Sequence, residues 1–180
     1  MSLAHALLGL LAVEPRSGYE LTKAFEADLG RYAWQAGHTS IYPELNRLAA
    51  DGLLEVSHEG ARGSRTYAVT DAGRAELRSW LMAPPKPAKV RNEQVLRMFL
   101  LSALEPEDAV TVLRAIAENT GLAAAELRRV RAENGPPVSR GAASFGLLAA
   151  EFGLRQYDAV HGWALWAIEQ YDAAREPVGE

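Results

Sequence analysis

The periodicity of the chain changes abruptly between Ser40 and Val69, and few small folds accommodate that change. Ile41, Leu45 and Leu48 recur at helical spacing on one side of a helix that Thr39 or Ser40 can cap, with Pro43 in the first turn, where no backbone donor is needed. Asp51-Gly52 ends that helix, and Leu53-Leu54-Glu55-Val56 and Thr66-Tyr67-Ala68-Val69 follow as two short strands. Their loop holds Glu59, Gly60, Arg62, Gly63, Ser64 and Arg65, so the hairpin has a basic tip. With no linker between them, helix and hairpin must share a core, leaving Ser40, Tyr42, Asn46 and Arg47 on the helix's other faces.

The flanks extend this unit. Leu3 to Val13 is apolar through Ala4, Leu7, Leu8, Leu10 and Leu11 and predicts a buried first helix; it is too short to span a bilayer, lacks a basic leader and meets Glu14 at once. Pro15, Ser17 and Gly18 break it, and Ser17 caps a second helix carrying Tyr19, Leu21, Thr22 and Phe25. The stretch from Gly30 to Gly37 is too irregular to assign. Thr70 and Asp71 open a fourth helix through Leu77, Trp80 and Leu81, which Pro84, Pro85 and Pro87 stop.

Beyond that proline-rich linker every signal is helical: Asn92 to Ser102, Pro106 to about Ala132, and about Ala142 to Ala174. Leu113, Ile116, Ala117, Thr120, Leu127 and Val130 form one stripe, and Leu148, Phe152, Ala159, Trp163 and Ala167 another. Asn134-Gly135-Pro136-Pro137 separates the two long helices, which predicts a helical hairpin. Two helices cover such stripes poorly, so a second copy of the chain is the simplest cover. The expected fold is mainly α: a winged helix-turn-helix with a two-stranded β wing over 1–82, a linker over 83–91, and an all-helical dimerisation domain, open to an effector role, over 92–180.

Composition narrows the function. The 180 residues, 48% hydrophobic, suffice for a buried core. The absence of cysteine excludes disulfides, thiolate nucleophiles and cysteine zinc sites, and with no sorting signal visible the expected location is cytoplasmic. His5, His38, His58 and His161 are scattered without metal-ligand spacing, so no metal or cofactor is expected. No phosphate-binding glycine loop, Gly-x-Ser-x-Gly elbow or paired acid-base set points to an enzyme. The net charge of −4 is spread evenly: residues 1–82 hold eight basic and ten acidic residues and the remainder eleven and thirteen. Any contact with a polyanion must therefore rest on a local face.

Three helices followed by a basic hairpin is the order of a winged helix-turn-helix, whose third helix enters the DNA major groove by its N-terminal residues while the wing brings cations to the adjacent minor groove. On that reading Ser40, Tyr42, Asn46 and Arg47 belong to the recognition helix, Arg62 and Arg65 supply position and affinity, and His38 is placed to touch phosphate. Tyrosines are also common half-buried core residues, which is the alternative for Tyr19 and Tyr42, and Arg47 reads equally well as an ordinary surface charge.

Three stretches then carry a resemblance to the PadR family of bacterial repressors: Leu8-Gly9-Leu10-Leu11 with Ser17-Gly18-Tyr19-Glu20-Leu21; Ser40-Ile41-Tyr42-Pro43-Glu44-Leu45 running to Asp51-Gly52-Leu53; and Arg65-Thr66-Tyr67-Ala68-Val69-Thr70 before Gly73. The resemblance implies a homodimeric winged-helix repressor joined through its C-terminal helices, with Tyr19, Ser40 and Tyr42 near a double-stranded DNA operator; Thr39, beside Ser40 at the helix start, joins the DNA-binding candidates. Ser64 and Thr66 depart from the family's usual basic and aromatic wing residues, which implies weaker or more salt-sensitive wing contacts. It also permits a small aromatic effector near Trp163 and Trp166, although aromatics at helical spacing more often pack in a core or dimer interface. The competing reading is a winged helix used as a protein-interaction module without specific DNA binding.

Overall fold

A computed structural model describes residues 2–26, 36–60, 63–84, 91–139 and 142–174. The chain divides into two compact units at residues 88/89.

The first unit opens with helix α1, Ser2–Val13, whose Leu7, Leu8, Leu10 and Leu11 are all buried. Pro15 ends it, and Arg16–Ser17 forms a two-residue strand, β1, before helix α2, Gly18–Ala24. Ser17 caps α2 reciprocally: its hydroxyl accepts from the Glu20 amide at 3.3 Å, and its own amide donates to Glu20 Oε2 at 2.7 Å. Those bonds to Ser17 hold the Glu20 carboxyl below its ordinary range. The unassigned stretch before Gly37 lies largely outside the described residues.

Helix α3 spans His38–Ala50 and buries Ile41, Leu45 and Leu48 as the periodicity requires. Its start differs from the sequence expectation. Gly37 is the N-cap, Thr39 and Ser40 are already helical, and the Ser40 hydroxyl donates back to the Gly37 carbonyl at 3.0 Å. Pro43 consequently sits inside the helix, where it withholds a donor from the Thr39 carbonyl; Thr39 is exposed, so water can satisfy that oxygen.

Strands β2, Leu54–Glu59, and β3, Arg65–Val69, form the hairpin, with an irregularity between Val56 and His58. The sheet has three strands rather than two, in the order β1-β3-β2, because Arg16 and Ser17 pair with Tyr67 and Thr66. Two residues, Arg16 and the helix cap Ser17 itself, are too few to show alternation, so the sequence conceals this edge strand. Helix α4, Asp71–Met82, is capped by Thr70, whose hydroxyl accepts from the Gly73 amide at 3.1 Å and donates to the Gly52 carbonyl at 2.8 Å. On α1, His5 stacks on Trp80 of α4 at 4.5 Å between ring centroids and lies 3.3 Å from a Glu76 oxygen. The core joins α1, α2, α3 and the sheet through Leu7, Phe25, Ile41, Leu48, Leu54 and Tyr67.

The second unit holds helix α5, Glu93–Phe99, a 3-10 turn at Leu101–Ala103, and two long helices, α6 over Pro106–Asn134 and α7 over Leu147–Ala173. Gly135, at φ 72°, ends α6. The last helix starts five residues later than the apolar run predicts: Ala142–Ala143 pairs instead with Val138–Ser139, strands β5 and β4, so the unit is helical except for this short pairing. Gly146, in the left-handed region at φ 78°, turns the chain into α7.

The helices α6 and α7 pack as the predicted hairpin, but on a shifted face of α7. Leu154, Ala164 and Ala167 are buried, with Ala150, Tyr157 and His161 partly so. His161 Nδ1 lies 2.7 Å from the Ala117 carbonyl oxygen, an acceptor for the Nδ1–H tautomer of the ring. Of the predicted stripe, Leu148, Phe152 and Ala159 remain exposed and Trp163 is half-buried. No described helix is long and apolar enough to cross a membrane.

Candidate nucleic-acid interface

Most of the residues singled out from the sequence are exposed on α2 and α3. On α2, Tyr19 is 55% exposed, and Lys23 one turn later sets its ammonium 4.7 Å from the ring centroid. On α3, His38, Thr39, Ser40, Tyr42 and Asn46 are all exposed. Tyr42, 40% exposed, lies parallel to the His38 imidazole within 13°, with centroids 5.8 Å apart. Thr39, Tyr42 and Asn46 follow at spacings of three and four, so hydroxyl, phenol and amide line one face. Such groups can read base edges or hold phosphate oxygens, whereas a core would have to find partners for each of them.

Arg47 belongs to a different face, about 140° from Tyr42 around the helix. Its guanidinium donates to both Glu44 oxygens at 3.1 and 2.8 Å and to Asp51 at 2.6 Å. The bonds to Arg47 lower the Glu44 carboxyl below its ordinary range, and those to Glu44 raise Arg47. Arg47 also borders a cleft of about 360 Å³ between α1, α3 and α4, together with His5, Glu44 and Glu76. Arg65, at the base of the hairpin tip, is exposed and ion-paired to Glu59 at 3.2 Å. Arg62 lies outside the described residues.

Among the described residues of this unit, three arginines are accompanied by carboxylates: Arg16 by Glu14, Arg47 by Glu44 and Asp51, and Arg65 by Glu59. This is the local form of the acidic balance in the sequence. Lys23 is a cation that the sequence pattern does not single out, although it stands four residues after Tyr19 on one helix. In the second unit, Trp166 is exposed and Trp163 half-buried, and neither lines the small cavity of about 10 Å³ between α6 and α7, which has room for one water. Among the described residues no group of three His, Asp or Glu is arranged to hold a metal.

Residues 7–79 match the transcriptional regulator PadR-like family, and residues 90–172 match the region described as virulence activator alpha C-term. The negative transcriptional regulator PadR of Bacillus subtilis (strain 168) is 36% identical over 111 residues, covering 59% of this chain and 60% of that protein. The probable transcriptional regulator Rv1176c of Mycobacterium tuberculosis is 36% identical over 92 residues, 49% of this chain and 48% of its own length. The matched stretches thus span less than two thirds of either relative. Solved structures match more fully: Bacillus subtilis PadR in complex with operator DNA has a TM-score of 0.80 at 26% identity, over 95% of this chain and 99% of that one. The same protein in complex with p-coumaric acid gives 0.81 at 28%, over 96% and 99%. The Vibrio cholerae virulence activator AphA gives 0.62 at 26%, over 96% of each chain. Residues 7–79, which hold the winged helix, are therefore a domain of the transcriptional regulator PadR-like family.

Proposed function

We propose that the chain binds a pseudo-palindromic operator as a homodimer in the cytoplasm and represses transcription by occupying it. The observation that carries this reading is the exposed face of Thr39, Tyr42 and Asn46 on α3, in a domain whose fold matches a regulator solved on operator DNA. Tyr19, His38, Thr39, Ser40, Tyr42 and Asn46 meet the DNA, and Arg62 and Arg65 on the wing neutralise phosphate. Arg47 reaches a phosphate only by leaving Glu44 and Asp51. A small aromatic effector releases the operator, acting through the C-terminal helices by binding the DNA-free state more tightly. The structure of a relative with p-coumaric acid supports that ligand class. Trp163 and Trp166 either line its pocket or pack in the dimer.

The test is fluorescence anisotropy with DNA from upstream of the chain's own gene, against scrambled duplex, across a salt series. Replacing both Arg62 and Arg65 with alanine removes two phosphate contacts, so affinity at 0.1 M salt should fall roughly 50-fold and the log-log salt slope by about 2. Dimerisation should be unaffected. Binding to no duplex at low salt would favour the winged helix as a protein-interaction module. Glu59→Gln should act oppositely: freeing Arg65 from its exposed ion pair is expected to tighten binding about 2- to 5-fold on specific and scrambled duplexes alike. A gain confined to the specific duplex would place Arg65 on a base instead.

A further inference from the structure

We propose that Gly18 is a specificity-determining position, because the missing side chain at the start of α2 sets where the Tyr42 phenol sits on the DNA-facing surface. The proposal rests on the reading above that Tyr42 meets DNA. Gly18 is buried, and a Cβ built there would lie 2.7 Å from Tyr42 Cε1, 2.8 Å from Cζ and 3.1 Å from the hydroxyl oxygen. Gly18 is not among the glycines of positive φ, so its backbone does not demand glycine. What demands it is space for the ring of Tyr42.

The atoms in the way are the far end of a partly exposed side chain, not backbone. Alanine can therefore be accommodated by moving the ring, while its better helix propensity offsets part of any packing loss. Carbon atoms settle at about 3.5–4.0 Å, so the phenol must retreat by about 1 Å. For the fold that is a small adjustment. For a hydroxyl or ring edge meeting a base it is decisive, since hydrogen bonds are lost within a few tenths of an ångström beyond about 3.2 Å. The His38 ring, parallel to Tyr42 one turn earlier on α3, ties a second exposed group to the same displacement. Stability and DNA reading are thus separable at Gly18. The Ser17-Gly18-Tyr19 junction acts on specificity without its glycine touching DNA.

The experiment compares four full-length chains: parent, Gly18→Ala, Tyr42→Ala and the double variant. Each is titrated against a duplex selected by the parent from a randomised pool and against its scrambled counterpart, with thermal midpoints in parallel. Gly18→Ala should weaken binding to the selected duplex about tenfold, the loss of one base contact, while leaving the scrambled duplex unchanged. Its midpoint should stay within about 3 °C of the parent's. In the Tyr42→Ala background the same substitution should change affinity less than about twofold, because the group being positioned is gone. Equal losses with and without Tyr42 would overturn the proposal, as would Tyr42→Ala weakening binding while Gly18→Ala leaves it intact. A large midpoint drop in Gly18→Ala that the double variant recovers would make Gly18 a packing site and would also overturn it. If Tyr42→Ala itself changes no affinity, the placement of Tyr42 on DNA fails first, and the role of Gly18 falls with it.

Discussion

Gly73→Ala is expected to lower the thermal midpoint of the first unit by about 10–20 °C, a loss of about 3 kcal/mol. A Cβ at Gly73 would overlap the Leu53 carbonyl oxygen, and it would lie 2.8 Å from Val69 Cγ2 and 3.1 Å from the Leu53 carbonyl carbon. Unlike the obstacle at Gly18, these atoms cannot swing aside. The Leu53 carbonyl accepts from the Thr70 amide at 3.2 Å, and Thr70 binds both Gly52 and Gly73 through its hydroxyl. The junction thus ties the end of α3, the last residue of the hairpin and the first turn of α4 in one knot, and an added methyl group must pull part of it open. Helix propensity alone gives the opposite sign, a gain of about 1 kcal/mol for alanine within a helix. Circular dichroism melting of the full chain decides between them. Hydrogen exchange should locate the lost protection in α1, α3 and α4, and an unchanged or raised midpoint would show that the close approach does not exist.

The same residue shows what the sequence could reveal. Gly73 stands out as the end of a recognisable run from Arg65, but nothing in its neighbours states that it faces a carbonyl twenty residues earlier. Helices with one clear apolar face were legible: Ile41, Leu45 and Leu48 are buried as their spacing requires. Elements without such a face were not. Strand β1 has two residues, and β5 consists of alanines that fit a helix equally well until Pro136, Pro137 and Gly146 act on the chain around them. On α7 apolar residues are so frequent that more than one three-four stripe can be drawn. Only packing against α6 selects Leu154, Ala164 and Ala167 over Leu148, Phe152 and Ala159.

The candidate interface follows the same logic. Tyr42 and Asn46 could be placed on exposed faces because helical spacing separates them from the buried residues of α3, whereas only the family resemblance put Tyr19 near DNA. The condition of the cations could not. Arg47 has Glu44 three residues before it and Asp51 four after, a spacing that allows ion pairs, but only the folded helix shows both formed at once. Arg65 meets Glu59 across the hairpin, a pairing that depends on strand register. Exposed ion pairs of this kind contribute at most about 1 kcal/mol each, so a phosphate can displace the carboxylate. If Arg47 and Arg65 meet phosphates as proposed, these pairs make affinity depend on salt and on competition within the protein rather than on net charge.

The exposed stripe on α7 leads to the largest functional effect. Phe152 is 64% exposed and Trp166 55%, on the face that α6 does not cover, and α5 has no buried residue although Leu96 and Phe99 lie on it. If the homodimer is built on this stripe, Phe152→Glu combined with Trp166→Glu puts two unpaired carboxylates per chain into an apolar interface, each costing several kcal/mol. Sedimentation should then show a single protomer. Affinity for the operator should fall by about 10²–10⁴, because two half-sites are no longer bound by one linked molecule. The protomer itself should stay folded, since neither side chain is buried within it. Leu154→Ala, two residues from Phe152, provides the contrast: it removes a buried side chain from the α6–α7 core and should cost about 2–5 kcal/mol of fold stability. A doubly substituted chain that remains dimeric would move the interface to another surface, and one that loses its helices would show that the stripe serves the fold of the protomer rather than its association.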